Sequence, residues 1–282
     1  MERFINPFSD VGFKRIFGQE DTKDLLIDFL NDLLVNERII TDITFMDKEI
    51  LPVFKGFRGA IYDIYCTDSN GTNFIVEMQN GYQTYFRERA LFYLSHIITR
   101  QGSAGGEWHF DVKAVYGVFF MNFRLNSIPH KLRTDVILAD RETHEQFSDK
   151  LRFIFIELPS FTKQEDECDT NFDKWIYTLK NMEILKSIPF KDHKKVFKKL
   201  EKTVDLASLD TEERERYDES IKVYRDYVNT IDSAKKEGRK EGRKEGEENK
   251  QIEIARKMKA EGLSVGVIAR LTDLSMDAIE KL

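Results

Sequence analysis

Apolar side chains recur at helical intervals in three stretches of the first half of the chain. Residues 22–34 and 83–100 carry leucine, isoleucine or an aromatic residue every three or four positions, which is the period of an amphipathic helix. A shorter helix is predicted after Asp10, its expected N-cap, and Gly18 ends it. The same spacing returns around Trp175 and predicts a fourth helix there.

Between these helices, the apolar positions follow the two-residue period or the continuous runs that are typical of strands. The turn sequence Asp-Ser-Asn-Gly separates two of these strands and predicts a hairpin. The order helix, strand, hairpin, helix, strand predicts an α/β fold, with a mixed sheet covered by helices. The predicted strands are residues 39–46, 60–67, 72–79, 112–121 and 152–158.

From about residue 186 the chain becomes polar and strongly charged. Residues 186–202 contain seven Lys against one Asp and one Glu, a local net charge of +5. A long polar helix at 211–231 leads into the four-residue repeat KKEGRKEGRKEG at 235–246. We interpret the repeat as helical, with a frayed segment as the alternative, because each glycine costs about 1 kcal/mol relative to alanine in a helix.

Residues 251–282 predict a small module of three short helices, with a spacing similar to that of a helix-turn-helix. Asp277 and Glu280 lie on the helix that would enter a DNA groove, where acids are repelled by phosphates. This favours a packing or oligomerisation module over a DNA-binding one, and both stay open. The predicted domains are a core at 1–185, a helical extension at 186–232, a charged glycine-repeat spacer at 233–250, and this module at 251–282.

The composition is that of a globular protein. Of 282 residues, 41% are hydrophobic and 33% are charged, and the net charge is −6. This excludes an overall basic coat for nucleic acid, although not a local basic cleft. The first ten residues show no apolar signal-peptide stretch, and no apolar run of about 20 residues occurs, so a cytoplasmic protein without a membrane contact is expected. Cys66 and Cys168 fit no disulfide framework or zinc-site spacing.

The predicted hairpin brings two acids together. If residues 69–71 form a three-residue loop with glycine in the left-handed region, Asp68 pairs with Thr72. Counting back along the ladder places Asp63 opposite Glu77, with side chains about 5 Å apart on one face. Two opposed carboxylates destabilise a hairpin unless a cation lies between them, and hard divalent cations prefer carboxylate oxygens.

Two interpretations of this acidic pair remain open. On an ordinary hairpin, the acids would simply face solvent. Here Ile61, Tyr65 and Ile75 are expected to share the face of the acids. Burial among apolar groups raises the pKa of a carboxyl unless a cation is bound, which gives metal binding a physical motive.

An Asp on one strand followed by Glu-x-Lys on the next is the core motif of the PD-(D/E)XK nuclease superfamily. The chain resembles the recombination-promoting nuclease and putative transposase branch of that superfamily over roughly its first 185 residues. The resemblance implies a restriction-endonuclease-like core and metal-dependent cleavage of DNA phosphodiesters. The segments that carry it are NPFSDVGFKRIFG (6–18), LLIDFLNDLL (25–34), YDIYCTDSNGTNFIVEMQ (62–79), YFRERALFY (85–93) and ELPSF (157–161).

By this resemblance, Asp63 and Glu77 bind Mg²⁺, with Mn²⁺ or Ca²⁺ as alternatives. Gln79 stands where the superfamily has lysine. Glutamine can orient a water by hydrogen bonding, but it brings no positive charge to the phosphate. Lys14 is a candidate substitute cation, and an i,i+4 ion pair with Asp10 is its alternative role.

The expected partners are DNA and a second copy of the chain, since one such site cuts one strand. Arg89 and Arg87 are candidate phosphate contacts at the start of the predicted helix, although pairing with Glu88 or another acid is the preferred role for Arg87. Lys195 and Lys199 could follow a phosphate backbone, or they could form a solvated helix face. The expected function is a metal-dependent DNA endonuclease. The alternative is a non-catalytic DNA-binding or protein-interaction protein that keeps the nuclease fold.

Overall fold

A mixed six-stranded sheet forms the centre of the first of two compact units, Met1–Arg225 and Asp226–Leu282. The computed structural model describes residues 2–50, 60–102, 109–125 and 131–282. The strands are β1 (Ile43–Phe45), β2 (Glu49–Ile50), β3 (Ala60–Ile61), β4 (Ile64–Asp68), β5 (Asn73–Gln79), β6 (Val115–Met121), β7 (Arg133–Ala139) and β8 (Gln146–Glu157).

The strands of the large sheet lie in the order β1-β4-β5-β6-β8-β7, and β2 pairs with β3 in a separate ribbon. The central strands β5, β6 and β8 are parallel, while β1, β4 and β7 run antiparallel to their neighbours. The helices are α1 (Asp10–Phe17), α2 (Lys23–Leu33), α3 (Phe86–Arg100), α4 (Asn171–Asn181), α5 (Lys195–Val204), α6 (Thr211–Ala260), α7 (Val265–Thr272) and α8 (Met276–Glu280). This arrangement confirms the predicted α/β class, with a mixed sheet flanked by helices and an all-α C-terminal extension.

Aromatic side chains fill both faces of the sheet. On one face, Phe120 packs against Phe13 and Phe29 from α1 and α2, with ring centroids 5.6 and 5.1 Å apart. On the other face, Phe119 packs against Phe86 of α3 at 5.8 Å. Neighbouring residues of one buried strand therefore anchor helices on opposite faces, as expected for a strand that is apolar throughout.

The predicted hairpin is confirmed. The Asp68 backbone N–H donates to the Thr72 carbonyl at 2.9 Å, and Gly71 has φ +80°. The Asp68 carboxylate also accepts hydrogen bonds from the Asn70 and Thr72 N–H groups, at 2.9 and 2.8 Å. A left-handed glycine together with this aspartate stabilises the loop and fixes the register of the ladder.

The prediction of one continuous strand over residues 60–67 is wrong. The ladder is interrupted at Tyr62 and Asp63, and the Tyr62 N–H donates to the Lys48 carbonyl at 3.0 Å. The break reverses the alternation of side chains. Ile61, which was expected on the face of the acids, is 68% exposed, whereas Tyr62 is buried in the cluster beneath α3.

Strand β7 is absent from the sequence prediction. It pairs with β8 at the edge of the sheet, and its last four residues are exposed. An edge strand with little buried surface shows no clear two-residue period. Strand β2 is also absent from the prediction, and the first of the three short helices predicted at 251–282 is instead the end of α6.

The helical interpretation of the glycine repeat is confirmed, because α6 runs through it without interruption. In the second unit, the end of this helix packs with α7 and α8 around Ala255, Ile268 and Ile279. No helix in the described part of the chain combines the length and the apolar character needed to cross a bilayer.

Gly117 of β6 permits the close approach of α3 to the sheet. A Cβ atom at this position would lie 2.6 Å from the Phe119 ring and 2.7 Å from the Leu94 side chain, both buried. Overpacking of this kind costs about 1–3 kcal/mol. We expect Gly117→Ala to lower the urea midpoint of unfolding accordingly. Gly242→Ala is the matched control, since its Cβ would meet nothing within 4 Å and its midpoint should not fall. Equal midpoints for the two variants would contradict this account.

Candidate active site at the hairpin

The register of the hairpin sets the two acids opposite each other. Ile64 pairs with Val76 and Tyr65 with Ile75, so the next pair along the ladder is Asp63 and Glu77. The ladder itself ends at Ile64 and Val76, and in an unbroken antiparallel ladder Asp63 and Glu77 would form a non-hydrogen-bonded pair with their side chains close.

Each acid is fixed by the backbone of the opposite strand. The Asp63 N–H donates to Glu77 Oε1 at 3.0 Å, and the Met78 N–H donates to Asp63 Oδ2 at 2.8 Å. In an unbroken ladder, the Met78 N–H would instead donate to the carbonyl of Tyr62. The interruption of the strand is therefore what frees this N–H for the aspartate, and it brings both carboxyl groups to one point of the sheet.

Burial raises the pKa of both acids. Glu77 is only 3% exposed, and burial together with the charge of Asp63 raises its pKa to about 8. Burial likewise raises the pKa of Asp63. A buried carboxyl with an acid as its neighbour prefers the protonated form unless positive charge approaches. The site thus favours a cation when both acids are ionised.

Gln79 contacts the site through hydrogen bonding alone. Its Nε2 donates to Glu77 Oε2 at 3.2 Å. Both oxygens of Glu77 therefore accept a hydrogen bond from the protein. A lysine at this position would add a positive charge, whereas the amide of glutamine adds only a dipole.

The N-terminal end of α1 borders Asp63. A cavity of about 90 Å³ beside this acid is lined by Phe8, Ser9, Asp10, Phe13, Asp63, Met78 and Asn80. Lys14 pairs with Asp10 at 2.5 Å, the role given above as the alternative for this lysine. Its charge still lowers the pKa of Asp63, while that of Asp10 raises it. The proximity of Asp10 to Asp63 is a tertiary contact, which the sequence pattern does not predict.

Two polar contacts hold this end of α1 in place. Asn80, directly after β5, donates from Nδ2 to the Phe8 carbonyl at 2.7 Å. The N-cap is Ser9, whose Oγ accepts from the Gly12 N–H at 3.1 Å, so the prediction of Asp10 as N-cap is wrong by one residue. Serine at the cap leaves the Asp10 carboxylate available to Lys14.

Arg89 is the arginine that acts on the acids. Its charge lowers the pKa of both Asp63 and Glu77. Its guanidinium donates to Gln83 Oε1 at 2.7 Å. Arg87 lies two residues earlier on α3, is exposed, and makes no ion pair within the described part of the chain.

The two candidate lysines of α5 lie elsewhere. This helix packs against α1 and α2 rather than against the hairpin. Lys199 pairs with Asp24 of α2 at 2.5 Å, and Lys195 is exposed. The structure brings together Asp63, Glu77, Gln79, Arg89 and Lys14, and it leaves these two lysines outside that group.

The donor set fits a hard divalent ion. Within the described residues, no three or more His, Cys, Asp or Glu side chains gather as metal ligands, so the protein offers two carboxylates. Asn80 Oδ1 is buried without a hydrogen-bond partner in the described structure, which leaves an additional amide oxygen at the cavity beside Asp63. One or two carboxylates completed by water and phosphate oxygens are the usual Mg²⁺ ligands in proteins.

The raised pKa of Glu77 predicts that the protein loses stability as pH rises. Between about pH 4.5 and pH 8 the folded protein retains a proton that the unfolded chain releases, so the free energy of unfolding falls across this window. Glu77→Gln keeps the Oε1 acceptor and removes the titration. With EDTA present, we expect the Tm of wild type to fall more between pH 5 and pH 9 than that of Glu77→Gln.

The control for this measurement is Glu142→Gln, a change at an exposed acid in the turn after β7, which should follow wild type. Parallel pH curves for wild type and Glu77→Gln would contradict the assignment of a buried, proton-retaining Glu77.

Comparison with known proteins agrees with this geometry. The family model of the PD-(D/E)XK nuclease family transposases matches residues 7–234, which is most of the chain. No curated protein and no solved structure matches the chain. The mixed sheet and flanking helices are consistent with the restriction-endonuclease-like fold of this group. The chain belongs to the PD-(D/E)XK nuclease family transposases.

Proposed function

We propose that this protein is a metal-dependent DNA endonuclease that hydrolyses phosphodiester bonds. The observation that carries the proposal is the buried pair Asp63 and Glu77, held opposite each other by the backbone of the hairpin. Burying two adjacent carboxyl groups lowers the stability of the fold, so stability alone does not explain the pair. Family membership supports nuclease chemistry as the reason for its presence.

In this proposal, Asp63 and Glu77 hold Mg²⁺, or alternatively Mn²⁺ or Ca²⁺. When bound, the ion would stabilise negative charge on the scissile phosphate and lower the pKa of a bound water. Gln79 would orient a water through its amide. Lys14 and Arg89 would supply positive charge from α1 and α3, in place of the lysine that this chain lacks on β5.

For DNA contact, we propose that Arg89 binds a phosphate near the acids. Arg87 is exposed on the same helix and can contact the strand further along. Contacts from Lys195 and Lys199 stay predictions. The ion pair of Lys199 with Asp24 would have to open before that lysine could bind a phosphate.

One observation favours the alternative of a non-catalytic DNA-binding or protein-interaction protein. The Gln79 amide donates a hydrogen bond to Glu77 and brings no charge to the site. In that case the acids would bind a metal without useful hydrolysis, so binding and cleavage have to be measured separately.

We also propose a homodimer or higher oligomer, because double-strand cleavage needs two such sites. The module at 251–282 is the proposed contact, joined to the core through the extension at 186–232 and the spacer at 233–250. Removing residues 233–282 would then reduce the oligomer size and leave metal affinity intact. The cytoplasmic location stays a prediction from the sequence.

Alanine at either acid should abolish cleavage. We expect Asp63→Ala and Glu77→Ala each to lower Mg²⁺-dependent nicking of supercoiled plasmid at least about hundredfold, because charge stabilisation by the ion is worth several kcal/mol. Calorimetric titration with Mg²⁺ should show binding to wild type and to neither of these two alanine variants. The control Asp149→Ala removes an exposed acid of β8 and should nick like wild type. Equal nicking by all four proteins, or nicking in EDTA, would reject the catalytic assignment.

A lysine at position 79 should shift the pH dependence of metal binding. A lysine beside Glu77 is expected to lower the pKa of that acid, since an opposite charge at this range shifts a carboxyl by about one unit or more. We therefore expect the pH at which Mn²⁺ binding is half-maximal to be about one unit lower for Gln79→Lys than for wild type. Gln79→Met, which removes the amide without adding charge, is the control and should show no downward shift. An unchanged midpoint in Gln79→Lys would mean that the side chain at 79 does not act on Glu77.

A further inference from the structure

A groove of about 740 Å³ runs beside the first turns of α3. We call it the α3 groove, and it is lined by Gln83, Thr84, Tyr85, Glu88, Arg89, Phe92 and Tyr93. Its size is within the range of about 300–1,000 Å³ that is typical of ligand pockets. None of its residues other than Arg89 has a role in the proposed hydrolysis.

The groove presents aromatic rings to solvent. Tyr85 is 74% exposed and Phe92 is 43% exposed. These residues and Arg89 lie at intervals of four and three positions, so their side chains share one face of the helix. The opposite face carries the buried residues that pack on the sheet. The exposed rings are therefore not part of the core.

Arg89 is held in the groove by contacts to two other aromatic rings of α3. Its guanidinium lies 5.7 Å from the ring centroid of Tyr93 and 5.8 Å from that of Phe86, in cation–π geometry. The hydrogen bond to Gln83 fixes it further. A positive charge is thus positioned beside flat apolar surfaces, a combination that suits a ligand with both a phosphate and an aromatic ring.

The groove adjoins the acidic pair. Tyr62, the residue before Asp63, donates from its hydroxyl to the Tyr93 carbonyl at 3.1 Å, and the two rings lie 5.1 Å apart. A strand whose phosphate lies at the acids would have its neighbouring nucleotides beside the α3 groove.

We propose that the α3 groove binds unpaired nucleobases of the DNA substrate by stacking on Tyr85 and Phe92. The inference rests on the proposed nuclease function and narrows its substrate class to DNA with a single-stranded segment. In an intact duplex, the base faces are covered by their neighbours and cannot stack on protein rings. An unpaired base exposes a face of the size that these rings offer, and every base type can use it.

The charges of the groove favour a base over a phosphate as its occupant. Glu88 lies in the groove close to the start of α3 and repels phosphate from that end. Arg89, on the side that influences the acids, attracts it. The strand is then oriented with its backbone towards Arg89 and the acids and with its bases against the rings.

Fluorescence anisotropy in EDTA tests this proposal without cleavage. The probes are a labelled mixed-sequence single strand of about 16 nucleotides, the same sequence as a blunt duplex, and an abasic strand of equal length. Wild type should bind the single strand most tightly. Tyr85→Ala and Phe92→Ala should each weaken that binding about tenfold, the effect of one lost stacking contact. Tyr85→Phe retains the ring and should restore wild-type affinity.

Leu91→Ala is the matched control, because Leu91 is 52% exposed on the same helix but does not line the groove. The proposal is overturned if the abasic strand binds as well as the normal one, if Tyr85→Ala binds like Leu91→Ala, or if no oligonucleotide binds.

Plasmid nicking by the same preparations separates the two proposals. If wild type nicks the plasmid but binds the abasic strand as well as the normal one, the groove proposal is rejected and the nuclease proposal is kept. Base-dependent binding without any nicking supports the groove and rejects the nuclease.

Discussion

The constraint on which the site depends is a pair of like charges that the backbone does not allow to separate. The Asp63 N–H holds Glu77, and the Met78 N–H holds Asp63. Moving either carboxylate away would leave a buried N–H without its acceptor, which costs about 1–3 kcal/mol. The protein therefore relieves the repulsion by retaining a proton or by admitting a cation, and not by rearranging the side chains.

The positive charges that act on the acids come from helices on either side of the sheet. Lys14 lies on α1 and Arg89 on α3, while β5 carries the neutral Gln79 where the superfamily pattern has lysine. Lys14 is shared with Asp10, and Arg89 is held by Gln83 and two aromatic rings. Neither charge outweighs the burial of Glu77 and the charge of Asp63, which together raise the pKa of Glu77.

Much of the site could be predicted from the sequence, because it depends on local rules. The loop sequence at 69–71 fixes the hairpin register, and the register predicts that Asp63 lies opposite Glu77. The break at Tyr62 could not be predicted, since it depends on a hydrogen bond to the Lys48 carbonyl, from a separate strand ribbon. The proximity of Asp10 to the site was missed for the same reason, although the segment that contains it was among those that resemble the family.

The lysine-rich stretch shows why a charge run alone is weak evidence for DNA contact. Its local charge of +5 is largely neutralised within the fold, where Lys194 pairs with Asp28 and Asp32 and Lys199 pairs with Asp24. The aspartates of α2 that accept these lysines stand four residues apart in the sequence. The sequence pattern does not show that α2 lies beside α5.

These lysines are paired within the fold, and the chain as a whole is acidic, with a net charge of −6. For the proposed DNA substrate, long-range attraction would then contribute less to affinity than short-range contacts. The proposed contacts are of that kind: a metal held by two acids, one fixed arginine, and exposed rings that stack on bases. Each would require the strand to be locally opened or bent towards the sheet, so under the proposed function the protein would select its substrate by the local structure of the DNA more than by its charge.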